Sequence, residues 1–264
     1  MKIVSWNVNG IRAVIQKWFF DWVKNNDADI ICLQEVKAFE NQIPSEVRFY
    51  MSNYDYLWHQ WSRPWYAWTA IFFKKWLEVV EKKSDFLFRE FSDEGRVTEI
   101  VFKHWWYIIY LLNVYFPNGG DRADGTEMLS YKLDFYEKIR QYIQWIRADW
   151  DEVTICGDFN ICHTEIDIAR PKENENSIWF LPIERAEMDK LQIDWLIDVF
   201  RQLNPELKNQ YTWRSYRGWA RERNVWWRLD YFWISPTLMG MVQSMQHQTN
   251  IMGSDHCPII IEFR

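Results

Sequence analysis

The 264-residue chain is poor in glycine, with 9 Gly against 19 Trp. An average protein of this length has roughly 18 glycines, at about 7% of residues. The chain also lacks a Pro/Gly/Ser-rich linker and a composition shift, and charges interrupt every apolar run before it reaches membrane-spanning length. We therefore expect one globular domain over residues 1–264, without a transmembrane helix.

Cysteines are few, and none lies in a CxxC pair. The four are Cys32, Cys156, Cys162 and Cys257. Their number and scatter exclude a disulfide framework and a typical structural zinc site, so we expect reduced thiols, with Cys32 and Cys156 in the core. The N-terminus enters a strand-like run without the features of a signal peptide, which predicts a cytoplasmic protein.

The formal net charge of −6 argues against a general nucleic-acid coat. A local basic segment can still bind phosphates, and residues 214–228 form one, with Glu222 as the only acid. Its basic residues are Arg214, Arg217, Arg221, Arg223 and Arg228. Composition alone leaves a solvated charged loop and a phosphate-binding surface equally open.

Short runs rich in Ile, Val, Phe and Tyr predict eight strands. They cover residues 2–8, 28–33, 69–73, 97–102, 107–115, 153–156, 229–234 and 258–263. Apolar residues at helical spacing predict helices over residues 11–25, 126–147 and 184–193. Several strands are apolar almost throughout, as in strands buried on both faces, and they alternate with helices. The predicted class is α/β.

Six apolar runs end in short polar strings. These are residues 5–10 (SWNVNG), 33–35 (LQE), 113–115 (NVY), 157–160 (GDFN), 228–231 (RLDY) and 253–258 (GSDHCP). Such strings can bring acids, amides and an imidazole to one rim of a sheet, where a hydrolytic metal site is built. Any single string is also typical of a turn or a helix cap.

The polar strings supply what phosphodiester hydrolysis requires, namely a cation site, a positioned water and donors to phosphoryl oxygens. Glu35 offers a hard oxygen ligand for Mg²⁺. Asp158 and Asn160, two apart on a strand, project the same way and can share one water or phosphate. His256, with Asp230 as an acid that orients it, can act as an imidazolium donor to phosphate.

In order and content, the strings resemble the motifs of the exodeoxyribonuclease III family of apurinic/apyrimidinic (AP) endonucleases, within the endonuclease/exonuclease/phosphatase superfamily. The resemblance runs from Met1 to about Glu262. It rests on residues 6–12 (WNVNGIR), 32–35 (CLQE), 113–118 (NVYFPN), 157–160 (GDFN) and 253–258 (GSDHCP). It implies a single domain with the deoxyribonuclease I-like fold, a four-layered α/β sandwich of two mixed β-sheets flanked by helices.

The resemblance also implies a role for each site residue. A metal centre for Mg²⁺, with Mn²⁺ as an alternative, involves Asn7, Glu35 and Asp255. The catalytic set, which positions water and holds the scissile phosphate, is Tyr115, Asp158, Asn160, Asp230 and His256. The implied substrate contacts are Asn118, Trp213, Arg217, Arg221, Arg223, Asn224 and Trp227.

The metal and phosphate residues alone do not choose a substrate, because the superfamily also contains phosphatases and sphingomyelinases. Residues 211–231 are similar to the loop with which AP endonucleases enter DNA and line a pocket for a base-less sugar. Guanidinium groups hold phosphates and indoles suit an extruded nucleotide. We expect a monomeric DNA repair nuclease that cleaves duplex DNA 5′ to abasic sites and trims 3′ ends. The alternatives are a phosphatase of the same superfamily acting on a small or lipid phosphate, and a DNA-binding module that has lost catalysis.

Seven tryptophans stand where the family pattern has glycine. They are Trp18, Trp65, Trp68, Trp179, Trp195, Trp219 and Trp226, with Trp150 as a further candidate. Added packing or DNA stacking does not explain the set, because glycine positions typically require positive φ or close backbone approach. Several such residues at about 1–3 kcal/mol each would exceed a folding margin of roughly 5–15 kcal/mol. We predict that the cell places glycine there, from UGA codons that some bacteria read as glycine.

Overall fold

The computed structural model describes residues 1–17, 19–44, 51–59, 67–84, 91, 94–214 and 226–264. Its strands are β1 (Lys2–Asn7), β2 (Ile30–Gln34), β3 (Tyr54–His59), β4 (Thr69–Lys74), β5 (Val79–Lys83), β6 (Val97–His104), β7 (Tyr107–Tyr115), β8 (Glu152–Asp158), β9 (Ile197–Asp198), β10 (Trp213–Arg214), β11 (Trp226–Trp227), β12 (Asp230–Ile234), β13 (Val242–His247) and β14 (Ile259–Phe263). The α-helices in these ranges are α1 (Ile11–Ile15), α2 (Phe19–Asn26), α3 (Leu129–Ala148), α4 (Pro171–Asn174), α5 (Pro182–Ile193), α6 (Val199–Leu203) and α7 (Pro236–Met239). None of these helices combines the length and the apolar composition needed to cross a membrane.

Two six-stranded sheets organise the described residues, with orders β13-β14-β1-β2-β4-β3 and β5-β6-β7-β8-β12-β9. Each sheet is mixed, because β1 runs parallel to β2 and β7 parallel to β8 while their other neighbours are antiparallel. Strands β10 and β11 form a separate two-stranded sheet.

The apolar strands bury both of their faces, which produces four layers. One core cluster lies between the sheets and contains Ile3 and Ile71 from one sheet and Ile100 and Phe232 from the other. A second cluster joins the first sheet to α1 and α2, and a third joins the second sheet to α3 and α5. The predicted sandwich of two mixed sheets flanked by helices is confirmed.

All eight predicted strands are present, and so are the three predicted helical segments, although residues 11–25 form two helices, α1 and α2. The unpredicted β3, β5, β9 and β13 are the edge strands of the two sheets. Edge strands meet solvent and carry charges such as Glu81 and Lys82, so their apolar signal is weak. The four cysteines are buried and free, and the predicted core position of Cys32 and Cys156 is confirmed.

Four of the suspect tryptophans have left-handed backbone. Their φ values are 67° at Trp68, 63° at Trp150, 75° at Trp179 and 65° at Trp195. Trp150 and Trp195 directly follow the C-caps of α3 and α5, a position where glycine is strongly preferred. The left-handed region costs a residue with a Cβ roughly 1–2 kcal/mol. These four backbone conformations favour the prediction of glycine.

The remaining tryptophans of the set do not provide this backbone evidence. Trp226 lies in β11 and is not among the positive-φ residues. Trp18, Trp65 and Trp219 lie outside the described residues. Trp105, which was not predicted, has a φ of 57° in the two-residue turn between β6 and β7. It joins the set on backbone geometry alone, because such turns favour glycine or asparagine.

Candidate active site

Three neighbouring strands place three predicted residues in one row. Tyr115 is in register with Asp158 across β7 and β8, and Asp158 with Asp230 across β8 and β12. Gly157 has a φ of 138°, and a Cβ there would lie 1.9 Å from the carbonyl oxygen of Val114. Only glycine fits so close an approach of two strands, and it sets the position of the following Asp158.

The other sheet contributes a carboxylate and an amide. Asn7 ends β1, and its Nδ2 donates to Glu35 Oε1 at 2.9 Å and to Asp158 Oδ2 at 2.9 Å. Asn7 therefore joins the two sheets at the site. Glu35 itself follows β2 with a φ of 50°, a strained conformation of the kind that clusters at functional sites. Its Oε2 forms an ion pair with Lys37.

His256 lies between two buried carboxylates. Its Nδ1 is 2.8 Å from Asp230 Oδ2, and its Nε2 is 3.7 Å from Asp158 Oδ2. Burial alone would lower the pKa of His256, but Asp230 and then Asp158 outweigh burial and raise the pKa to about 10. The imidazole is therefore held as an imidazolium at neutral pH.

At Asp158 the effect of burial on the pKa exceeds that of the opposite charge nearby. Burial, with the charges of Asp230 and Glu35, raises the pKa of Asp158 to about 7 against the lowering effect of His256. Its Oδ1 accepts the backbone N–H of Asn160 at 2.9 Å. A carboxyl group with a pKa near neutrality can both accept and release a proton at physiological pH.

Asp255 is held by neutral donors. Its Oδ1 accepts from Asn9 Nδ2 at 3.0 Å, and its Oδ2 accepts from Trp213 Nε1 at 3.2 Å. Burial would raise the pKa of Asp255, but the charge of His256 and these hydrogen bonds lower it overall. The adjacent Ser254 donates to the carbonyl oxygen of Asn7 at 2.8 Å, which fastens the loop of His256 to β1.

A buried lysine that was not predicted holds two site loops together. Lys132 Nζ donates to the carbonyl oxygens of Asn118 at 3.2 Å and Asn160 at 2.7 Å, and pairs with Glu184 at 2.5 Å. Burial lowers the pKa of Lys132. The sequence signal was present, since this lysine lies one turn after Leu129 on the apolar face of a helix.

Three tryptophans meet beside the site in edge-to-face contacts. The Trp179 ring lies 5.2 Å from Trp213 and 5.4 Å from Trp227, between ring centroids. Trp213 also forms a backbone bridge with His256. The predicted Trp213 is thus adjacent to the catalytic histidine candidate, and the predicted Trp227 pairs with Trp213 across β10 and β11.

Arg228, at the end of the basic segment, is an internal ion-pair partner. This side chain is fully buried and pairs with Asp167 at 2.7 Å and Asp198 at 2.6 Å. Arg214 donates to the carbonyl oxygen of Thr249 and lies over the ring of Trp226. Arg217, Arg221, Arg223 and Asn224 lie outside the described residues.

The donor set suits a hard divalent cation. In the described ranges, one group of His, Cys, Asp and Glu residues has ligand atoms within 4.8 Å of one another, namely Asp158, Asp230 and His256. Asp230 Oδ1 is buried and has no hydrogen-bond partner there. Glu35, across Asn7, already holds the Lys37 ammonium. His256 is held as an imidazolium and cannot ligate, so the available donors are the carboxylate oxygens of Asp158, Asp230 and Glu35. Oxygen ligands without thiolates favour Mg²⁺ or a similar ion over a structural zinc.

The chain matches the model of the endonuclease/exonuclease/phosphatase family over residues 4–256. It is similar to an exodeoxyribonuclease of Bacillus subtilis, with 36% identity over 98% of each chain. It is also similar to a DNA-(apurinic or apyrimidinic site) endonuclease of Dictyostelium discoideum, with 34% identity over 98% of this chain and 69% of the relative.

A solved structure shows the same similarity at the level of the fold. An AP endonuclease from Archaeoglobus fulgidus matches with a TM-score of 0.86 and 27% identity, covering 100% of this chain and 99% of that one. The family match spans most of the chain and the whole site described above. The chain therefore belongs to the endonuclease/exonuclease/phosphatase family, and within it to the DNA repair nucleases of the exodeoxyribonuclease III and AP endonuclease type.

Proposed function

We propose that this nuclease hydrolyses the phosphodiester 5′ to abasic sites in duplex DNA in a Mg²⁺-dependent reaction, and trims 3′ ends. The observation that carries the proposal is the position of Asp158. It lies between an imidazolium, His256, on one side and the Asn7 amide that leads to Glu35 on the other.

Asp158 is our candidate for the group that activates water. Hydrolysis forms a bond from the water oxygen to phosphorus, breaks the phosphorus–O3′ bond, releases one proton from the water and transfers one proton from solvent to the departing O3′. A carboxylate with a pKa raised to about 7 accepts that proton near neutrality. Asn160, whose backbone N–H binds Asp158, fixes the carboxylate and helps to position the water.

His256 is our candidate for the donor to the scissile phosphate. Its pKa, raised to about 10, keeps both ring nitrogens protonated at neutral pH. Asp230 holds Nδ1, which fixes the ring, and the Nε2–H lies on the Asp158 side, where it can donate to a phosphoryl oxygen. Charge on that oxygen grows in the transition state, so this hydrogen bond strengthens as the reaction proceeds. Tyr115 and Asn118 are proposed to contact the same phosphate.

Glu35 is our candidate for the magnesium ligand. Its carboxylate is partly exposed and already binds an ammonium, so it can bind a cation with little reorganisation. Mg²⁺, when bound, would offset the negative charge of the phosphoryl oxygens. Asn7 presents its amide nitrogen to Glu35 and Asp158, so we propose that it orients both carboxylates rather than ligating the ion. Asp255 is proposed to support His256.

DNA contact is proposed for the segment between β10 and β11. Arg214 and Trp226, which bound this segment, pair with each other, and the neighbouring Trp213 forms a backbone bridge with His256. Arg217, Arg221, Arg223 and Asn224 in that segment would contact the phosphate backbone. Trp213 and Trp227 would line the pocket for the base-less sugar. We also propose that the enzyme acts as a monomer in the cytoplasm.

Cleavage of a duplex with one tetrahydrofuran abasic analogue tests the proposal. We expect incision 5′ to the analogue with Mg²⁺, none with EDTA, and no release of phosphate from a soluble inositol phosphate. Incision that persists in EDTA, or preferred hydrolysis of the inositol phosphate, would contradict it.

The variant Glu35→Ala separates catalysis from binding. We expect it to bind the duplex while losing incision, whereas the exposed-site control Glu206→Gln retains both. Equal activity of Glu35→Ala and the parent would reject the metal role of Glu35.

A further inference from the structure

The Trp179 side chain spans the gap between the two halves of the proposed site. Its Nε1 donates to the carbonyl oxygen of Asn118 at 3.1 Å, and its ring packs edge-to-face on Trp213 and Trp227. Asn118 belongs to the proposed phosphate side, and the two other tryptophans form the proposed pocket wall. An indole therefore fills the space that joins them.

A nucleotide that reaches both halves must pass through this space. Its phosphate would lie against His256 and Asn118 while its sugar lies against Trp213 and Trp227, whose rings contact each other at 6.1 Å between centroids, on the side that Trp179 covers. Trp213 also donates to Asp255 at 3.2 Å, and this hydrogen bond limits the movement of its ring. The Trp179 ring and an inserted sugar therefore compete for the same volume.

We propose that position 179 controls access to the sugar pocket, so that tryptophan closes it and glycine opens it. This inference rests on the proposed function. The substrate class affected is duplex DNA with an extruded, base-less deoxyribose. A small phosphodiester that places only its phosphate at His256 does not need the pocket and is unaffected.

The backbone at residue 179 already has a conformation that glycine adopts without strain. Its φ of 75° suits glycine, and its carbonyl oxygen accepts the N–H of Cys162 at 2.7 Å. Removal of the indole therefore leaves the backbone where it is. The pocket walls, Trp213 and Trp227, keep their own ladder contact through β10 and β11.

The test compares Trp179→Gly with two controls. Trp195→Gly relieves the same kind of left-handed backbone at an exposed position after α5, outside the site. Trp179→Phe keeps an aromatic ring at the entrance of the proposed sugar pocket. Each protein is assayed on the tetrahydrofuran duplex and on bis(4-nitrophenyl) phosphate, with kcat and KM determined separately.

For Trp179→Gly we expect kcat/KM on the abasic duplex to rise roughly tenfold or more, chiefly through KM, with no change on the small diester. Trp195→Gly and Trp179→Phe should match the parent on both substrates. The inference is overturned if Trp195→Gly produces the same gain, or if the gain extends equally to the small diester, because general stabilisation would then explain it. It is also overturned if the parent already matches Trp179→Gly on the abasic duplex.

Failure of the proposed function would have a different signature. Neither the parent nor Trp179→Gly would then incise the abasic duplex or trim a 3′ end, although both hydrolyse the small diester with Mg²⁺. If only the proposed role of position 179 is wrong, the parent still incises the abasic duplex and Trp179→Gly incises it no faster.

Discussion

The Nδ1 atom of His256 lies 2.8 Å from Oδ2 of Asp230, and both groups are buried. These residues come from different strings of the sequence, and β12 and the loop before β14 bring them together. The contact keeps the imidazole charged in spite of its burial, because the nearby carboxylate stabilises the imidazolium more than desolvation penalises it.

The first prediction concerns Asp230→Asn. Loss of the charge removes the largest influence that raises the pKa of His256, so this pKa should fall by roughly 1 to 3 units. If the imidazolium is the active form, the alkaline limb of the pH–rate profile should move to lower pH by a similar amount. Steady-state cleavage between pH 6 and roughly 10 measures it, and an unchanged alkaline limb would reject the pairing as the source of the charge.

The second prediction concerns Asp158→Asn. The amide keeps the shape of the side chain but cannot take a proton from water, so kcat should fall by roughly 10²- to 10⁴-fold. Asp21→Asn, at an exposed position on α2, is the matched control and should retain full activity. Retention of more than about a tenth of kcat would assign water activation to another group.

The third prediction concerns the buried ion network of Arg228. Its guanidinium binds Asp167 and Asp198, and Arg201 also binds Asp167, all with little exposure. Asp167→Asn removes the carboxylate that Arg201 and Arg228 share and leaves Arg228 paired with Asp198 alone, so the free energy of unfolding should drop by roughly 3–5 kcal/mol. Urea unfolding at pH 7 measures this drop. A loss below about 1 kcal/mol, the range of exposed pairs, would mean that the network contributes little.

The same network predicts a pH dependence. Burial would raise the pKa of Asp167, but Arg228 and Arg201 outweigh burial and hold it well below its usual range. A carboxyl group whose pKa is lower in the folded state stabilises the fold above its unfolded pKa of about 3.9, and the stabilisation is lost as pH falls below that value. Unfolding scans between roughly pH 6 and 2.5 should therefore show a flatter acid limb in Asp167→Asn than in the parent.

The fourth prediction concerns the left-handed tryptophans. Trp195→Gly and Trp150→Gly remove exposed side chains from positive-φ positions, so each should raise the free energy of unfolding by roughly 1–2 kcal/mol. Trp145→Gly is the control, because this exposed residue lies inside α3. There, glycine should destabilise by roughly 0.5–1 kcal/mol.

The gene provides an independent check of the same prediction. UGA codons at positions 68, 150, 179 and 195 would agree with glycine in the cell. UGG codons at these positions would reject the recoding and leave four strained tryptophans in the native protein.

Local patterns predicted much of the fold. The strands that are buried on both faces, such as β2 and β8, have continuous apolar runs, and the long helix α3 has a regular apolar spacing. The edge strands were missed because half of their surface meets solvent and their residues resemble those of loops. The extent of a single domain over residues 1–264 stays a prediction.

Two site residues for which no role was predicted, Asn113 and Lys132, act through other residues. Asn113, inside an apolar strand, accepts from Gln34 at 2.7 Å and donates to Leu33 and Ala70, so it links the two sheets below the site. Lys132 links two loops in the same way. Their partners lie 14 to 80 positions away, and no local pattern reports such distances.

The sequence by itself determined the α/β class, the positions along the chain of the strands that form the core, and the polar residues at their ends, because these depend on periodicity and residue type over short windows. It also determined that a set of tryptophans was anomalous. Only the tertiary structure decided which polar groups meet, that Arg228 is an internal ion-pair partner, and that Trp179 fills the gap beside the site. The physical reason is that these contacts arise from the packing of two sheets and their loops, which sets distances, burial and pKa between residues far apart in the chain.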